Sequence, residues 1–101
     1  MTNTTPPPQC PAETLLKLLS GKWKPQIFRM ATQNALRFSV LLKTLEGANK
    51  QSIAVALKEL EQADLLHKQI ISQKPLHIEY RLSARGQQMI PVFEQLEKLL
   101  G

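Results

Sequence analysis

The chain has 101 residues, of which 43% are hydrophobic and 21% are charged, and it carries a formal net charge of +5. These values are typical of one small soluble domain and exclude an intrinsically disordered chain; no run approaches the roughly 18 apolar residues of a membrane-spanning helix. A basic balance favours a polyanionic partner such as nucleic acid, although charge alone indicates nothing about fold.

The N-terminal residues are expected to lie outside the folded domain. Residues 1–9, MTNTTPPPQ, are rich in Thr and Pro and are predicted to be a disordered lead-in to a single domain spanning residues 10–101. They have neither the basic nor the apolar region of a signal peptide. The sole cysteine, Cys10, cannot form an intrachain disulfide. These features predict a cytoplasmic protein without a membrane partner.

Two helices are predicted before residue 34. The first runs from Pro11, which suits a first helical turn, to Leu19, and Gly21 ends it. The second begins near Pro25 and buries the apolar side chains of IFRMA. Trp23 is interpreted as a core side chain that anchors both helices; the alternative is a lid over an effector pocket.

Two further helices follow a short extended piece at residues 35–38. Ser39 is expected to cap the third helix, which buries Leu residues including the LL pair of VLLK and ends at Gly47. Asn49 is expected to cap the fourth, over residues 50–62. The tight EGAN connection between these two helices is typical of a helix-turn-helix.

After Asp64 the hydrophobic period changes from helical to alternating. LHKQIIS and HIEYRL are predicted to form an antiparallel β-hairpin around the turn QKPL. Ser83 then caps a last helix over residues 84–100, in which Pro91 removes a backbone donor and should produce a kink. The predicted fold class is α+β: a winged helix-turn-helix, mostly helical, with a small antiparallel β-hairpin as its wing.

The fourth helix carries an unusual polar face opposite its apolar one. This face carries amides, a lysine and a valine: Gln51, Val55, Lys58 and Gln62. Ser52 lies with Gln51 and Val55 in the N-terminal half of the helix, and Lys50 and Lys58 flank them. In a DNA major groove, Gln pairs with adenine, Lys reaches guanine or phosphate, and a methyl-bearing side chain packs on thymine. We therefore predict base contacts from Gln51, Ser52 and Val55, and phosphate contacts from Lys50 and Lys58. The alternative is a polar face that is simply solvated.

Two carboxylates on the same helix oppose this interpretation, because they would repel phosphates. Glu61 is expected to turn sideways or inward. Glu59 is expected to lie at the margin of the contact face, farther along the helix.

Further phosphate contacts are predicted outside this helix. Arg37 and Ser39 precede or open the third helix, while Lys74 and His77 belong to the wing, residues 72–78. A lysine in a hairpin turn is by default solvated. A phosphate contact from Lys74 is predicted only because the hairpin directly follows the candidate recognition helix.

Several stretches of the chain match one family in order and spacing. They are CP at 10–11, GKWK at 21–24, RFS at 37–39, LKELEQADLL at 57–66, IEYRLSARG at 78–86 and IPVFEQL at 90–96. The chain resembles the HxlR-type, MarR-related winged-helix transcriptional regulators over nearly all of residues 10–101. The resemblance implies a homodimer that binds a pseudo-palindromic operator in double-stranded DNA. No cofactor is predicted. The sequence departs from the family at Asp64, where members often have Gly, and this bears on how the preceding helix ends.

The resemblance also implies that helices at both ends of the domain dimerise. The terminal helices 11–19 and 84–100 would supply apolar contacts: Leu15, Val92, Phe93, Leu96, Leu99 and Leu100. So much apolar surface on the last helix exceeds what a domain this small covers alone. A dimer would place its recognition helices about 34–36 Å apart, one turn of DNA.

Cys10 precedes the predicted start of the first helix, whose positive end would stabilise a thiolate. Many family members sense oxidants or electrophiles through a cysteine at this position, so the resemblance implies a redox-sensing role and a thiol-reactive effector. The alternative is a half-buried cysteine that packs as a small hydrophobe near the dimer contact.

Other functions remain as alternatives to a redox-responsive DNA-binding regulator. One is a regulator that senses a small-molecule ligand without cysteine chemistry, and another is a winged-helix module that binds protein. An enzyme is not predicted, because the sequence contains no nucleophile elbow, phosphate loop or paired carboxylates. Cys10, His67 and His77 match no zinc-ligand spacing, so no metal site is predicted.

Overall fold

The computed structural model describes residues 20–100, except for the side chain of Leu100. The predicted lead-in at residues 1–9 and the first predicted helix lie outside the described residues, as do Cys10 and Leu15. Among the described residues, no helix combines the length and the apolar character that crossing a membrane requires.

Five helices and two strands make up the described part of the chain. In order they are α1 (Lys24–Ala31), α2 (Phe38–Thr44), α3 (Lys50–Gln62), β1 (Leu66–Gln73), β2 (Leu76–Leu82), α4 (Ala84–Gln88) and α5 (Ile90–Leu100). The strands form a two-stranded antiparallel sheet. This element order confirms the predicted α+β fold, in which a helix-turn-helix precedes a hairpin wing.

The hydrophobic core lies between the first three helices and the start of the hairpin. Its largest fully buried side chains are Ile27, Leu41, Ile53, Leu57, Leu60 and Leu66. On α3 they recur at helical spacing, so one stripe of that helix is sealed against its neighbours. Met30 and Leu42, both predicted to be inside, are only partly buried at the edge of this core.

The start of α2 differs from the prediction, because Ser39 is not its N-cap. The helix begins at Phe38, and Arg37 holds the cap position in an extended conformation without a side-chain hydrogen bond. Two contacts place the start here. Leu36 pairs with Tyr80 through two backbone hydrogen bonds of 2.8 Å, and Phe38 packs against the core. The chain therefore stays extended through Leu36 and turns into the helix at once.

The start of α3 confirms the prediction that Asn49 is a cap. Its Oδ1 accepts a hydrogen bond of 2.8 Å from the Ser52 amide, while Ser52 Oγ accepts one of 2.9 Å from the Asn49 amide. This reciprocal capping box satisfies two backbone donors that the helix itself leaves unpaired.

The end of α3 is equally well defined. Asp64 takes a left-handed conformation with φ 62°. Its amide donates to Glu61 O at 2.9 Å, and the Leu65 amide donates to Leu60 O at 3.0 Å. These two bonds form a Schellman motif, in which glycine is the commonest residue at the left-handed position. Asp64 thus supports the same helix exit that a glycine would.

The hairpin continues the core outward as a wing. Leu66 pairs with Leu82 at its base, and an irregularity between Ile70 and Ser72 interrupts the register further out. The outer part of the hairpin has little covering it: Ile70 and Leu76 are each more than half exposed.

The predicted C-terminal helix is divided into α4 and α5 at Met89, two residues before Pro91, as the predicted kink requires. Ser83 caps α4 as predicted, accepting a hydrogen bond of 2.9 Å from the Gly86 amide. A Cβ atom on Gly86 would lie 2.3 Å from Leu65 O, so only glycine allows α4 to pack this closely on the exit from α3.

Candidate nucleic-acid interface

The outward face of α3 presents most of the residues predicted to read DNA. Lys50, Gln51 and Lys58 are exposed, and Val55 is 50% exposed although it is apolar. This exposure follows from the core, because burial of the opposite stripe leaves these positions no other orientation.

Ser52 is placed differently from the other predicted reading residues. It is half-buried, and its hydroxyl accepts from the Asn49 amide and lies 3.0 Å from Asn49 O. The hydroxyl is therefore already bonded in the cap of α3. A base contact from Ser52 stays a prediction.

The two carboxylates of α3 lie as the sequence predicts. Glu59 is partly exposed at the margin of the outward face, and its Oε1 lies 2.9 Å from Lys24 Nζ at the start of α1. Glu61 turns sideways toward the sheet. Burial first, and the charge of Glu61 second, raise the pKa of Tyr80 above its usual value of 10.0.

A groove lined by Trp23 runs beside this outward face, where the alternative interpretation of Trp23 expected an effector pocket. We name it the Trp23 groove; it has a volume of about 390 Å³. One wall is the segment Gly21–Lys24, and the other is formed by residues at and within α3: Asn49, Gln51, Ser52, Val55, Ala56 and Glu59. Trp23 packs partly against the core and is half exposed on this groove, so it is not the fully buried side chain of the favoured interpretation. The first predicted helix, which Trp23 is expected to anchor, lies outside the described residues.

The other predicted phosphate contacts lie on α2 and the wing. Arg37 and Ser39 are exposed at the start of α2, and Lys74 is exposed in the hairpin turn. His77 is directed along its strand: Nε2 lies 3.1 Å from Glu79 Oε2, outside hydrogen-bonding angles, and is buried. Glu79 in turn accepts a hydrogen bond of 3.1 Å from Arg81. The phosphate contacts from Lys74 and His77 stay predictions.

The residues predicted for the dimer contact divide into two groups. Val92 and Leu99 are 40% and 75% exposed. Phe93 instead packs on Phe28 of its own chain, with ring centroids 4.9 Å apart, and Leu96 is half-buried. Leu15 and the side chain of Leu100 lie outside the described residues.

An exposed cationic and amide-bearing helix, held at fixed ends and followed by a hairpin wing, defines a winged helix-turn-helix DNA-binding protein. The chain belongs to the HxlR-like helix-turn-helix family, whose pattern it matches over residues 18–101. This finding confirms the resemblance, and the family consists of transcriptional regulators.

Individual relatives agree with this assignment. The uncharacterized HTH-type transcriptional regulator YdzF of Bacillus subtilis (strain 168) is 32% identical over 91 residues, which cover 89% of this chain and 84% of YdzF. The redox regulator HypR in its reduced form superposes with a TM-score of 0.80 at 26% identity over 88% of each chain. Its oxidised form gives 0.79 at 27% identity, over 89% of this chain and 93% of HypR.

The ion pair between Lys24 and Glu59 generates a first prediction. Glu59→Gln removes a negative charge from the edge of the surface predicted to face DNA, so affinity for a mixed-sequence duplex should rise about two- to fivefold at low salt. The free energy of unfolding should change by less than about 1 kcal/mol, because the pair is partly exposed. Fluorescence anisotropy and urea unfolding measure the two quantities. Glu94→Gln, an equal charge change at an exposed position of α5, is the control; an equal gain in that variant would contradict a local effect.

Proposed function

We propose that two copies of this chain bind a pseudo-palindromic operator in double-stranded cytoplasmic DNA and regulate transcription from it. The observation that carries the proposal is the outward face of α3, where Gln51, Val55 and two lysines are exposed while the opposite stripe is sealed in the core. Side chains of these types suit base edges and phosphates in a major groove.

Within this proposal the residues have different roles. Gln51, Ser52 and Val55 contact base edges and so select the operator. Lys50, Lys58, Arg37, Ser39, Lys74 and His77 contact the sugar–phosphate backbone and so provide affinity at any sequence. The capped start of α3 supports this division, because it presents the first turns of the helix in one fixed orientation.

These two roles can be separated by measurement. Lys50→Ala or Lys58→Ala should lower affinity for all duplexes and reduce the slope of log affinity against log salt by about 0.9 each. Gln51→Ala should instead change the sequences recovered by selection from random duplexes, with discrimination at one base pair altered by about 1–3 kcal/mol.

Lys98→Ala provides the control for the lysine variants, because Lys98 is an exposed lysine near the end of α5. If the variants of Lys50, Lys58 and Gln51 all bind the same sequences with unchanged affinity, α3 is not the recognition helix.

Dimerisation through α5 is the second part of the proposal. It is supported by Leu99 and Val92, whose apolar side chains are exposed on α5. The packing of Phe93 on Phe28 and the Arg29–Glu97 ion pair hold the same helix against its own chain. A partner copy would cover the exposed apolar side chains.

The mass in solution tests this second part. Sedimentation equilibrium should give twice the chain mass of 11.4 kDa, and Leu99→Lys should raise the dimer dissociation constant at least about tenfold by placing a charge in the contact. Val40→Lys, at an apolar α2 residue that is 48% exposed, is the control. A wild-type protein that sediments as a single chain would refute the dimer.

A third part of the proposal assigns redox sensing to Cys10. The similarity to HypR, named a redox regulator and solved in reduced and oxidised forms, supports this assignment. With one thiol per chain, oxidation yields a disulfide between protomers, a mixed disulfide with a small thiol, or a sulfenic acid.

Diamide treatment tests the role of Cys10. The wild type should lose DNA affinity after treatment and regain it with dithiothreitol, whereas Cys10→Ser should bind equally well before and after. Release of DNA from the serine variant to the same extent as from the wild type would remove Cys10 as the sensor.

A further inference from the structure

The Trp23 groove lies along one flank of α3. The wall opposite α3, residues 21–24, contains none of the residues predicted to contact DNA. The wall formed by α3 includes Gln51 and Val55, which are also part of the outward face of that helix. Whatever occupies the groove is therefore a direct neighbour of whatever α3 reads.

Both walls of the groove supply apolar side chains. Trp23 lies in one wall, and Val55 and Ala56 lie in the other. The far edge of the indole lies close to Gly47: a Cβ built on that glycine would be 3.8 Å from Cη2 of Trp23. Because Gly47 lies in the turn between α2 and α3, the ring is supported by the helix-turn-helix itself.

The charges around the groove are predominantly positive. Lys22 is exposed, and its Nζ lies over the Trp23 ring, 4.9 Å from the centroid, which restrains a side chain that would otherwise be mobile. The carboxylate that lines the groove belongs to Glu59, and it is 2.9 Å from Lys24 Nζ. Lys22 therefore attracts an anion to the groove, because Lys24 offsets the negative charge of Glu59.

The dimensions of DNA indicate what would come to lie here. An α-helix with its side chains is about 10–12 Å across, and the major groove of B-DNA is about 12 Å wide. A recognition helix thus fills the groove, and the two sugar–phosphate backbones lie directly against its flanks. One flank of α3 forms a wall of the Trp23 groove, so a backbone lying against that flank would lie in the groove.

We propose that the Trp23 groove holds the sugar–phosphate backbone of one DNA strand, with deoxyribose carbons against Trp23 and Val55 and a phosphate at Lys22. This inference rests on the proposed function, because it requires α3 to enter the major groove. It adds Lys22 and Trp23 to the interface, and it assigns to them affinity and orientation rather than base selection.

Trp23 is the only tryptophan in the chain, so its fluorescence reports on this groove without labelling. In the full-length protein, saturation with a 30-base-pair mixed-sequence duplex should protect Trp23 from acrylamide quenching at least about twofold. Lys22→Ala should lower affinity about three- to tenfold at every sequence and reduce the salt slope by about 0.9, with the selected sequences unchanged. Lys22→Arg should retain most of the affinity, and Lys98→Ala is the matched control.

A neutral methylphosphonate at single phosphates of the duplex provides a second measurement that does not depend on a stable variant. One position should weaken binding of the wild type but leave Lys22→Ala unaffected, since the charge contact is already absent there. If no position shows this coupling, Lys22 does not contact a phosphate.

The remaining outcomes separate this inference from the proposed function. If the wild type binds no duplex, the proposed function fails and the inference fails with it. If the wild type binds but Trp23 quenching and the Lys22→Ala salt slope are unchanged, only the groove assignment is wrong. If Trp23 is already shielded from acrylamide without DNA, residues 1–19 or a second copy fill the groove, and the assignment is overturned.

Discussion

Burial of one stripe of α3 is the constraint on which the rest of the structure depends. Ile53, Leu57 and Leu60 are almost completely removed from water, and each such side chain contributes about 1.5–3 kcal/mol. Rotating the helix by even one residue, about 100°, would expose part of this stripe and bury Lys58 or Gln51 in its place. The composition of the outward face is thus a consequence of the core, and no contact on the outward side is needed to hold it.

The ends of the same helix set the positions of the elements around it. Asn49 fixes where α3 begins, and the Asp64 turn fixes where it ends and sends Leu65 back into the core. Gly86 then packs on the carbonyl of Leu65, and Ser83 bonds to Asp64 O, so the C-terminal helices are attached at the point where α3 exits. The wing and α5 therefore have fixed positions relative to the outward face of α3, which the proposed dimeric reading of DNA requires.

The features that the sequence predicted correctly depend on neighbours within three or four positions. The Asn49 and Ser83 caps are of this kind, since side chain and backbone partner lie in one turn. The kink predicted at Pro91 also has a local cause, the missing backbone donor, and the helix is interrupted close to it, at Met89. The start of α2 could not be predicted from Ser39, because the Leu36 bridge to the sheet decides it and its partner is 44 residues away in the chain.

The same distinction holds for the candidate site. Helical spacing was enough to identify the exposed face of α3, whereas the Lys24–Glu59 pair and the Trp23 groove join segments that are distant in sequence. The stretch GKWK resembles a family motif, but no local period indicates that it lies beside α3. The inward packing of Phe93 was missed for a related reason, since a helical repeat cannot distinguish the chain's own core from a partner's surface.

The arrangement of charges shows why partly exposed ion pairs matter here more for binding than for folding. Glu59 is held by Lys24 and Glu79 by Arg81, and at least one partner in each pair is substantially exposed. Such pairs contribute about 0–1 kcal/mol to stability, so the fold has little need of them. A carboxylate left without its partner on a DNA-facing surface, however, would repel a backbone that carries one negative charge per about 1.7 Å. If α3 enters DNA as proposed, the Lys24–Glu59 pair keeps an acidic residue beside that helix while Lys24 offsets its charge toward the duplex.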